Sequence, residues 1–376
     1  MTAASDAPAA LMLYLEPTSY IVDLVSAVRA IWPHRLDVRY LGANMSQQWN
    51  LRLGAGDGQV LAPGTLAPMR AVTSMVASGK YRLVHLAGWG PPEMLAALAL
   101  ARLRGIPTAV ELDSHAVPGQ PRLKRAAKSV LMPLLFRLPS RFLPGGQNQK
   151  KYLQSYGVDE RRIRIAQMTV DVARISRHMD AQGADKRRDV RRRLGLADDA
   201  FVFLYVGRLE PHKGVRDLLD AFGTLPAGHH AQLAIVGDGT QTDLVQQARR
   251  AMPGVRALGQ LADDALLDAY LAADAAVLPS HFEPWGLVVN EAMAAGLPVI
   301  VSDRVGCGAD LVHPGETGLI FPAGNVDVLR SAMQRLLGDR QLRERMSIEA
   351  RRLISGWTLE NEARIIISTW DELINR

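Results

Sequence analysis

The sequence predicts an α/β protein made of two doubly wound domains in series. Three observations carry this reading. Short apolar runs alternate with stretches of helical periodicity along the chain, the order that parallel βαβ units require. The 376 residues are enough for two separate cores. The alternation breaks once, over the polar and charged stretch 177–193, which has no strand pattern and reads as the interdomain connection.

In the first half, the expected strands are 11–15, 36–41, 83–86, 108–112, 141–144 and 163–166. The helical stretch 94–104 between them ends at Gly105 and Pro107, a normal stop signal. In the second half, the expected strands are 201–206, 232–236, 255–258, 275–278 and 298–301. Helical stretches near 215–222, 242–251, 264–271 and 287–295 separate them. The last run, W-T-L-E-N-E-A-R-I-I-I-S-T-W-D-E-L-I, has apolar residues near helical spacing and reads as an amphipathic helix. Residues 1–10 read as a loose terminus.

Composition narrows the class. The only cysteine is Cys307, so no internal disulfide can form, which fits a reducing compartment. The first ten residues lack a positive n-region, and the apolar run 11–15 is too short to span a bilayer. A cytoplasmic protein without a membrane-spanning anchor is expected. The net charge of +6 is unevenly spread: one basic cluster lies in 121–137 and another in 185–194. Such clusters attract anionic lipid, nucleic acid or phosphorylated substrates, and they also occur as solvated helix faces.

The most informative stretch is E-P-W-G-L-V-V-N-E, from Glu283 to Glu291. It follows the strand 275–278 and crosses from loop into helix, where α/β domains bind small ligands. Glu283 is then a loop carboxylate, and Glu291 lies roughly two turns further on. Earlier, F-V-F-L-Y-V-G-R-L-E-P-H-K-G ends a strand at Gly207 and places Arg208 and Lys213 before a helix. Two cations beside a helix N-terminus make a diphosphate site, although the same pair can be two ordinary surface cations. In I-V-G-D-G-T, Gly237 and Asp238 either admit a ligand close to the backbone or form a tight turn. Leu258 and Gly259 end a further strand, against which a base could lie.

Together, G-R-L-E-P-H-K-G, I-V-G-D-G, E-P-W-G-L-V-V-N-E-A-M-A-A-G-L-P-V-I-V-S-D and D-L-V-H-P-G-E-T-G-L-I-F resemble the retaining nucleotide-sugar glycosyltransferases of family 4, which have the GT-B fold. The resemblance covers nearly all of 200–355. It implies two Rossmann-like domains facing across a cleft: an acceptor-binding domain over 1–185 and a nucleotide-sugar-binding domain over 186–355. The terminal helix, 356–376, would return to the first. Arg208 and Lys213 would bind the donor diphosphate, and Glu291 the ribose hydroxyls. Glu283 would contact the donor sugar, while the backbone of Trp285, Gly286 and Leu287 would cap sugar and phosphate. Gly207, Gly237 and Asp238 would border the donor, with Leu258 and Gly259 near the base. The resemblance also implies no metal or other cofactor, in line with the lack of an Asp-x-Asp motif.

The first domain departs from the commoner pattern. Where many relatives have a Gly-rich loop after the first strand, this chain reads Y-L-E-P-T-S-Y. Glu16, Ser19 or Tyr20 would then serve the acceptor. After the fourth expected strand comes E-L-D-S-H, and relatives often place a histidine there, close to the transferred sugar. His115 is the candidate, with Asp113 beside it; an Asp–Ser–His turn without chemistry is the alternative. The run R-F-L-P-G-G-Q-N-Q-K-K-Y resembles polysaccharide-building members, with Gly145 and Gly146 admitting the donor. His85 ends another strand. Gly88, Trp89 and Gly90 follow it as an acceptor wall or a structural turn.

The expected chemistry is hexose transfer from GDP-mannose or a UDP-sugar to a glycan or lipid-diphosphate-linked acceptor in polysaccharide biosynthesis. Retention without an obvious nucleophile implies a front-side route, with charge on Arg208 and Lys213 and with Glu283 and His115 near the sugar. In 121–137, Leu123, Val130, Leu131, Leu134, Leu135 and Phe136 alternate with Arg122, Lys124, Arg125 and Lys128. That composition predicts peripheral association with an anionic membrane surface; a core-facing helix with a basic outer face is the alternative. A Rossmann dehydrogenase would need G-x-G-x-x-G after the first strand, which is absent. A nucleic-acid-binding protein would need a recognised module, and none is present. An inactive sugar-nucleotide-binding protein on the same scaffold is the closest alternative.

Overall fold

The computed structural model describes residues 9–45, 53–54, 56–64, 66–116, 119, 121–226 and 230–375. The chain forms two compact units, 1–170 with 359–376, and 171–358.

Unit 1 contains β1 (Ala9–Tyr14), α1 (Ser19–Ile31), β2 (Leu36–Tyr40), β3 (Gln59–Val60), α2 (Ala67–Ala77), β4 (Tyr81–Ala87), α3 (Pro92–Leu103), β5 (Thr108–Leu112), α4 (Arg122–Leu135), β6 (Arg141–Pro144) and α5 (Gln147–Ser155). Unit 2 contains α6 (Val172–Asp180), α7 (Ala184–Arg193), β7 (Phe201–Val206), α8 (Val215–Gly223), β8 (Ala231–Val236), α9 (Thr242–Ala251), β9 (Val255–Gly259), α10 (Asp263–Ala272), β10 (Ala275–Leu278), α11 (Leu287–Ala294), β11 (Val299–Ser302), α12 (Gly308–Leu311), β12 (Gly318–Phe321), α13 (Val326–Gly338) and α14 (Arg340–Ile354). The last helix, α15 (Leu359–Ile374), belongs to unit 1.

Each unit carries one parallel sheet. The strand orders are β3-β2-β1-β4-β5-β6 and β12-β11-β10-β7-β8-β9. Counted from its own first strand, each sheet has the doubly wound order 3-2-1-4-5-6. The order reverses between β1 and β4 in one and between β7 and β10 in the other, and a ligand crevice is expected at the carboxyl ends of those strand pairs. β1 is buried along its whole length, as is β10. This explains why these strands read as unbroken apolar runs without alternation. In unit 1, one face of the sheet is covered by α1 and α15, with Trp32 and Trp370 at an edge-on 5.3 Å between centroids.

The structure corrects several expectations. Residues 163–166 run beside β6 without forming a full strand: Ile163 makes an isolated bridge to Phe142, and the N–H groups of Arg164 and Ala166 donate to Phe142 O and Pro144 O. β3 and β12 were not among the expected strands: β3 is two exposed residues, and β12 is the four-residue run G-L-I-F. Ala9 and Ala10, expected in a loose end, open β1, while 1–8 lie outside the described residues. The unit boundary falls after Val170, earlier than the expected 185. The reason is that α6 packs into unit 2: Ser176 Oγ donates to Ala294 O at 3.2 Å, and Arg351 Nη1 reaches Asp180 Oδ1 at 2.7 Å.

The basic cluster 185–194 proves structural in part. Arg191, only 3% exposed, donates to the carbonyls of Ala272 and Ala200 and to Asp274 Oδ2 at 2.8 Å. Arg187 donates to Leu271 O and to Asp274 Oδ1 at 2.6 Å. These arginines tie α7 to the end of α10, and the stretch taken for a linker is two helices. By contrast, α4 leaves Leu123 84%, Val130 64%, Leu131 57% and Leu134 55% exposed, while Phe136 is buried. Most of its apolar side chains therefore face solvent. The Lys124 side chain of that helix lies outside the described residues.

Candidate active site

In unit 2, the loops after β7 and β10 meet at the sheet's reversal point. β7 leads through Gly207 and Arg208 to a short 3-10 turn (Pro211–Lys213), and α8 begins after Gly214. Gly214 adopts φ +72°, and a Cβ there would lie 2.2 Å from Pro279 O. Only glycine lets these two loops approach so closely. The approach brings Lys213 against the loop after β10, where its Nζ lies 2.5 Å from Glu283 Oε2. Both side chains are mostly buried, at 17% and 12% exposure.

The Glu283 loop is held from behind. Glu283 N donates to Arg304 O at 3.1 Å, Gly306 N to Glu283 O at 2.9 Å, and Cys307 N to Trp285 O at 2.9 Å. Trp285 is buried; its Nε1 donates to Asn290 Oδ1 at 3.0 Å and its ring stacks on Trp357 at 5.7 Å. Trp285 is therefore a structural anchor, and its backbone is the part a ligand could meet. Gly286 caps α11 and Leu287 opens it, so the first-turn N–H groups and the positive end of the helix dipole lie a few residues from Glu283.

Arg208 is exposed, with Nη2 3.4 Å from Glu210 Oε1. Glu210 is held below the usual carboxylate range, chiefly by the Thr240 hydroxyl. His212 feels the whole cluster: burial and then Lys213 push its pKa down, Arg208 adds to this, and Glu283 and Glu210 oppose. Arg208, Lys213 and Glu283 are thus brought together with Glu210 and His212, two residues that carried no sequence signal beyond their place in the loop.

Glu291 lies on α11, away from the Lys213 pair. Its Oε2 accepts from Tyr270 OH at 2.5 Å; burial raises its pKa and that hydrogen bond opposes the rise. Gly237 adopts φ +142°, and a Cβ would lie 1.9 Å from Gly207 O, so the turns after β7 and β8 touch backbone to backbone. Asp238 is taken up by its own turn, accepting from Gly239 N at 2.8 Å and Thr242 Oγ1 at 2.5 Å. A cavity of about 250 Å³ opens between Gly237, Asp238, Ala257 and Gly259; Leu258 does not line it.

Unit 1 has its own cavity, of about 460 Å³, at the reversal point between β1 and β4. Tyr20, Gly88, Trp89, Gly90, Asp113 and Gly145 all line it. Glu16 and His115 do not. Glu16 is 3% exposed and its carboxylate accepts from Met45 N. His115 Nδ1 lies 3.2 Å from Ala116 O, and the neighbouring residues 117, 118 and 120 lie outside the described ones. Gly146 caps α5, and Ser19 is exposed at the start of α1.

A buried polar network that sequence reasoning missed reaches this cavity through Tyr14, Glu111 and Glu362. Trp370 Nε1 donates to His85 Nδ1 at 3.1 Å, which leaves the proton of His85 on Nε2, 2.8 Å from Glu111 Oε1. Tyr14 OH donates to the same oxygen at 3.1 Å. Glu362 faces this group; burial and then Glu111 hold its carboxyl well above the usual range, against a hydrogen bond from the Thr169 N–H. His85 is fully buried, so it belongs to this network and not to a strand-end surface. A glutamate inside the apolar run T-A-V-E-L was the one available clue.

Among the described residues, no group of three or more His, Cys, Asp or Glu could hold a metal ion, and no helix is long and apolar enough to cross a membrane.

Residues 186–353 match the model for Glycosyl transferases group 1, and residues 18–167 match the Glycosyl transferase 4-like domain. The glycogen synthase of Mycobacterium tuberculosis is 42% identical over 156 residues, which is 40% of this chain and 37% of that protein. A GDP-mannose-dependent alpha-mannosyltransferase of Mycobacterium tuberculosis is 36% identical over 195 residues, 51% of this chain and 49% of its own length. The chain spans less than half the length of either relative. Anabaena HepE, solved in complex with UDP, superposes with a TM-score of 0.77 at 18% identity, over 96% of this chain and 99% of that one. At that identity the likeness speaks to the fold, which is GT-B. With one family model on each compact unit, this chain belongs to the group 1 glycosyltransferases.

Proposed function

We propose that this protein transfers a hexose from a nucleotide-sugar donor, GDP-mannose or a UDP-sugar, to a glycan or lipid-diphosphate-linked acceptor in polysaccharide biosynthesis. The observation that carries the reading is the Lys213–Glu283 pair, with Arg208, at the reversal point of the second sheet. Names of relatives point the same way: a mannosyltransferase uses GDP-mannose, and HepE was solved with UDP.

In this reading, the donor diphosphate lies across Arg208 and Lys213 and the N-terminus of α11. Glu283 meets the sugar and Glu291 the ribose. The acceptor hydroxyl attacks the anomeric carbon on the face that the phosphate leaves, so configuration is retained. The C–O bond to phosphate breaks and its electron pair passes to the phosphate oxygen, which also takes the acceptor proton. Charge develops on that oxygen, where two preorganised cations lower the barrier most. The same cations supply the charge that a metal would otherwise bring, so we propose a metal-independent transfer without a cofactor.

Unit 1 would bind the acceptor. Its cavity offers Trp89 and Tyr20 as apolar walls and Asp113 and Glu111 as hydrogen-bond acceptors, a composition suited to sugar hydroxyls. The basic and apolar α4 would rest on an anionic membrane, on the cytoplasmic face. The test is transfer from labelled UDP- and GDP-sugars to a lipid extract, with anomeric configuration read by NMR. Retained linkage, and loss of transfer in Arg208→Ala and Lys213→Ala, is the expected result. Near-normal rates in both variants, or an inverted linkage, would sink it.

A further inference from the structure

A second depression on unit 1, of about 480 Å³, is lined by Arg102, Arg137, Arg141, Arg161 and Arg162, with Asp159 as its one lining carboxylate among the described residues. Four elements converge to build it. Arg102 sits in the last turn of α3, Arg137 follows the end of α4, Arg141 opens β6, and Arg161 and Arg162 come from a 3-10 turn (Glu160–Arg162).

Asp159 is already engaged. Its Oδ2 lies 2.6 Å from Arg161 Nη2, and its Oδ1 caps Arg161 N at 2.9 Å. Arg162 is fixed as well: Nη2 donates to Phe136 O at 2.7 Å and to Pro139 O, with the guanidinium 5.5 Å above the Phe142 ring. Burial and then Arg141 push the Arg162 pKa down, and Arg102 adds to this against Asp159. Positive charge is thus crowded around an open depression. On α7, by contrast, paired arginines meet the carboxylate of Asp274.

We propose that this depression is a phosphate-binding site separate from the transferase site, holding a phosphomonoester or phosphodiester on Arg102 and Arg137, with Arg141, which donates to Ser140 O at 3.2 Å, adding charge beside them. Guanidinium forks match phosphate oxygens two at a time, and several forks converging from different elements favour a multiply charged oxyanion over a carboxylate. The site lies at the opposite end of β6 from Gly145, which lines the acceptor cavity. A four-residue strand spans roughly 13 Å, so the two sites are distinct.

The phosphate can come from a lipid headgroup or from a soluble ligand. Exposed apolar side chains flank the depression on both sides in sequence: Leu103, 84% exposed, follows Arg102, and Leu134, 55% exposed, precedes Arg137 by three residues. This favours a phosphate carried on an apolar body.

The experiment uses the full chain and its Arg102→Gln/Arg137→Gln variant, both changes lying on exposed side chains, with equal melting temperatures as the check on folding. One arm is flotation with phosphatidylcholine vesicles, with and without phosphatidylglycerol. The other is thermal shift and calorimetry with glycerol 3-phosphate. An Arg352→Gln variant, on an exposed side chain of unit 2, serves as the control that should keep full binding. At least a tenfold loss of phosphatidylglycerol-dependent flotation in the arginine variant supports a lipid source. The same loss with glycerol 3-phosphate alone supports a soluble one. Binding in both arms that is unchanged in the arginine variant, or no binding by the parent chain in either, overturns the proposal.

Discussion

Lys213 Nζ lies 2.5 Å from Glu283 Oε2, although 70 residues separate them in sequence. The contact exists because Gly214 lets the backbone after β7 pass against Pro279 at the end of β10. If Lys213 supplies charge to the leaving phosphate, Lys213→Ala should lower kcat by about 10²- to 10³-fold, the effect of removing one preorganised electrostatic contact. Lys213→Arg should restore part of it. Steady-state transfer rates decide, and equal rates for the Ala and Arg variants would contradict the charge argument.

Gly237 tests whether the two glycine turns hold the site together. Gly237→Ala places a Cβ 1.9 Å from Gly207 O at φ +142°, so the backbone itself must move. A loss of about 3 kcal/mol or more is expected. Gly259→Ala is the control: it shares the left-handed conformation at φ +71° but meets nothing within 4 Å. It should cost only about 1–2 kcal/mol. Chemical denaturation of both variants gives the comparison, and similar losses would show that the contact with Gly207 does not matter.

Much of this arrangement was legible in the sequence, and the reasons are local. Gly207, Arg208, Lys213 and Glu283 lie at strand ends marked by apolar runs and glycines, so their grouping follows from doubly wound topology, whereas Glu291 sits inside α11 against Tyr270. The partners that depend on distant packing were not legible. Trp370 reaches His85 across 285 residues, and Glu362 faces Glu111 from the last helix. In sequence, both look like members of an amphipathic surface helix. Charge runs were ambiguous for the same reason. Arg187 and Arg191 read as a patch until Asp274 was seen between them, whereas α4 exposes the apolar side chains that a core-facing helix would bury.

The Trp370–His85 contact sets how firmly α15 is held on unit 1. Trp370→Phe keeps most of the ring but removes the N–H that serves a buried acceptor. A loss of about 1–3 kcal/mol is expected. Hydrogen exchange should then rise first in α15 and α1, which pack together. Unchanged protection there would show that the hydrogen bond contributes nothing to docking.

Glu362 gives unit 1 a specific pH dependence. Its pKa is raised in the folded state, first by burial and then by Glu111, above an ordinary value of 4.5. A group that holds its proton more tightly when folded stabilises fully below the unfolded pKa. That stabilisation declines as pH rises towards the folded pKa and is gone above it. Glu362→Gln cannot ionise and still offers an oxygen to the Thr169 N–H. The variant should therefore lose less melting temperature than the parent between pH 5 and pH 8. Parallel losses in the two proteins would contradict the assignment.

The central claim is that Arg208 and Lys213 form a diphosphate site, and nucleotide binding tests it most directly. Melting temperatures would be recorded with UDP, GDP and ADP for the parent chain and for Arg208→Ala/Lys213→Ala. One nucleotide should stabilise the parent by about 2.7 kcal/mol at a concentration 100 times its Kd, with little effect on the variant. No stabilisation by any of the three, or equal stabilisation of parent and variant, would contradict it.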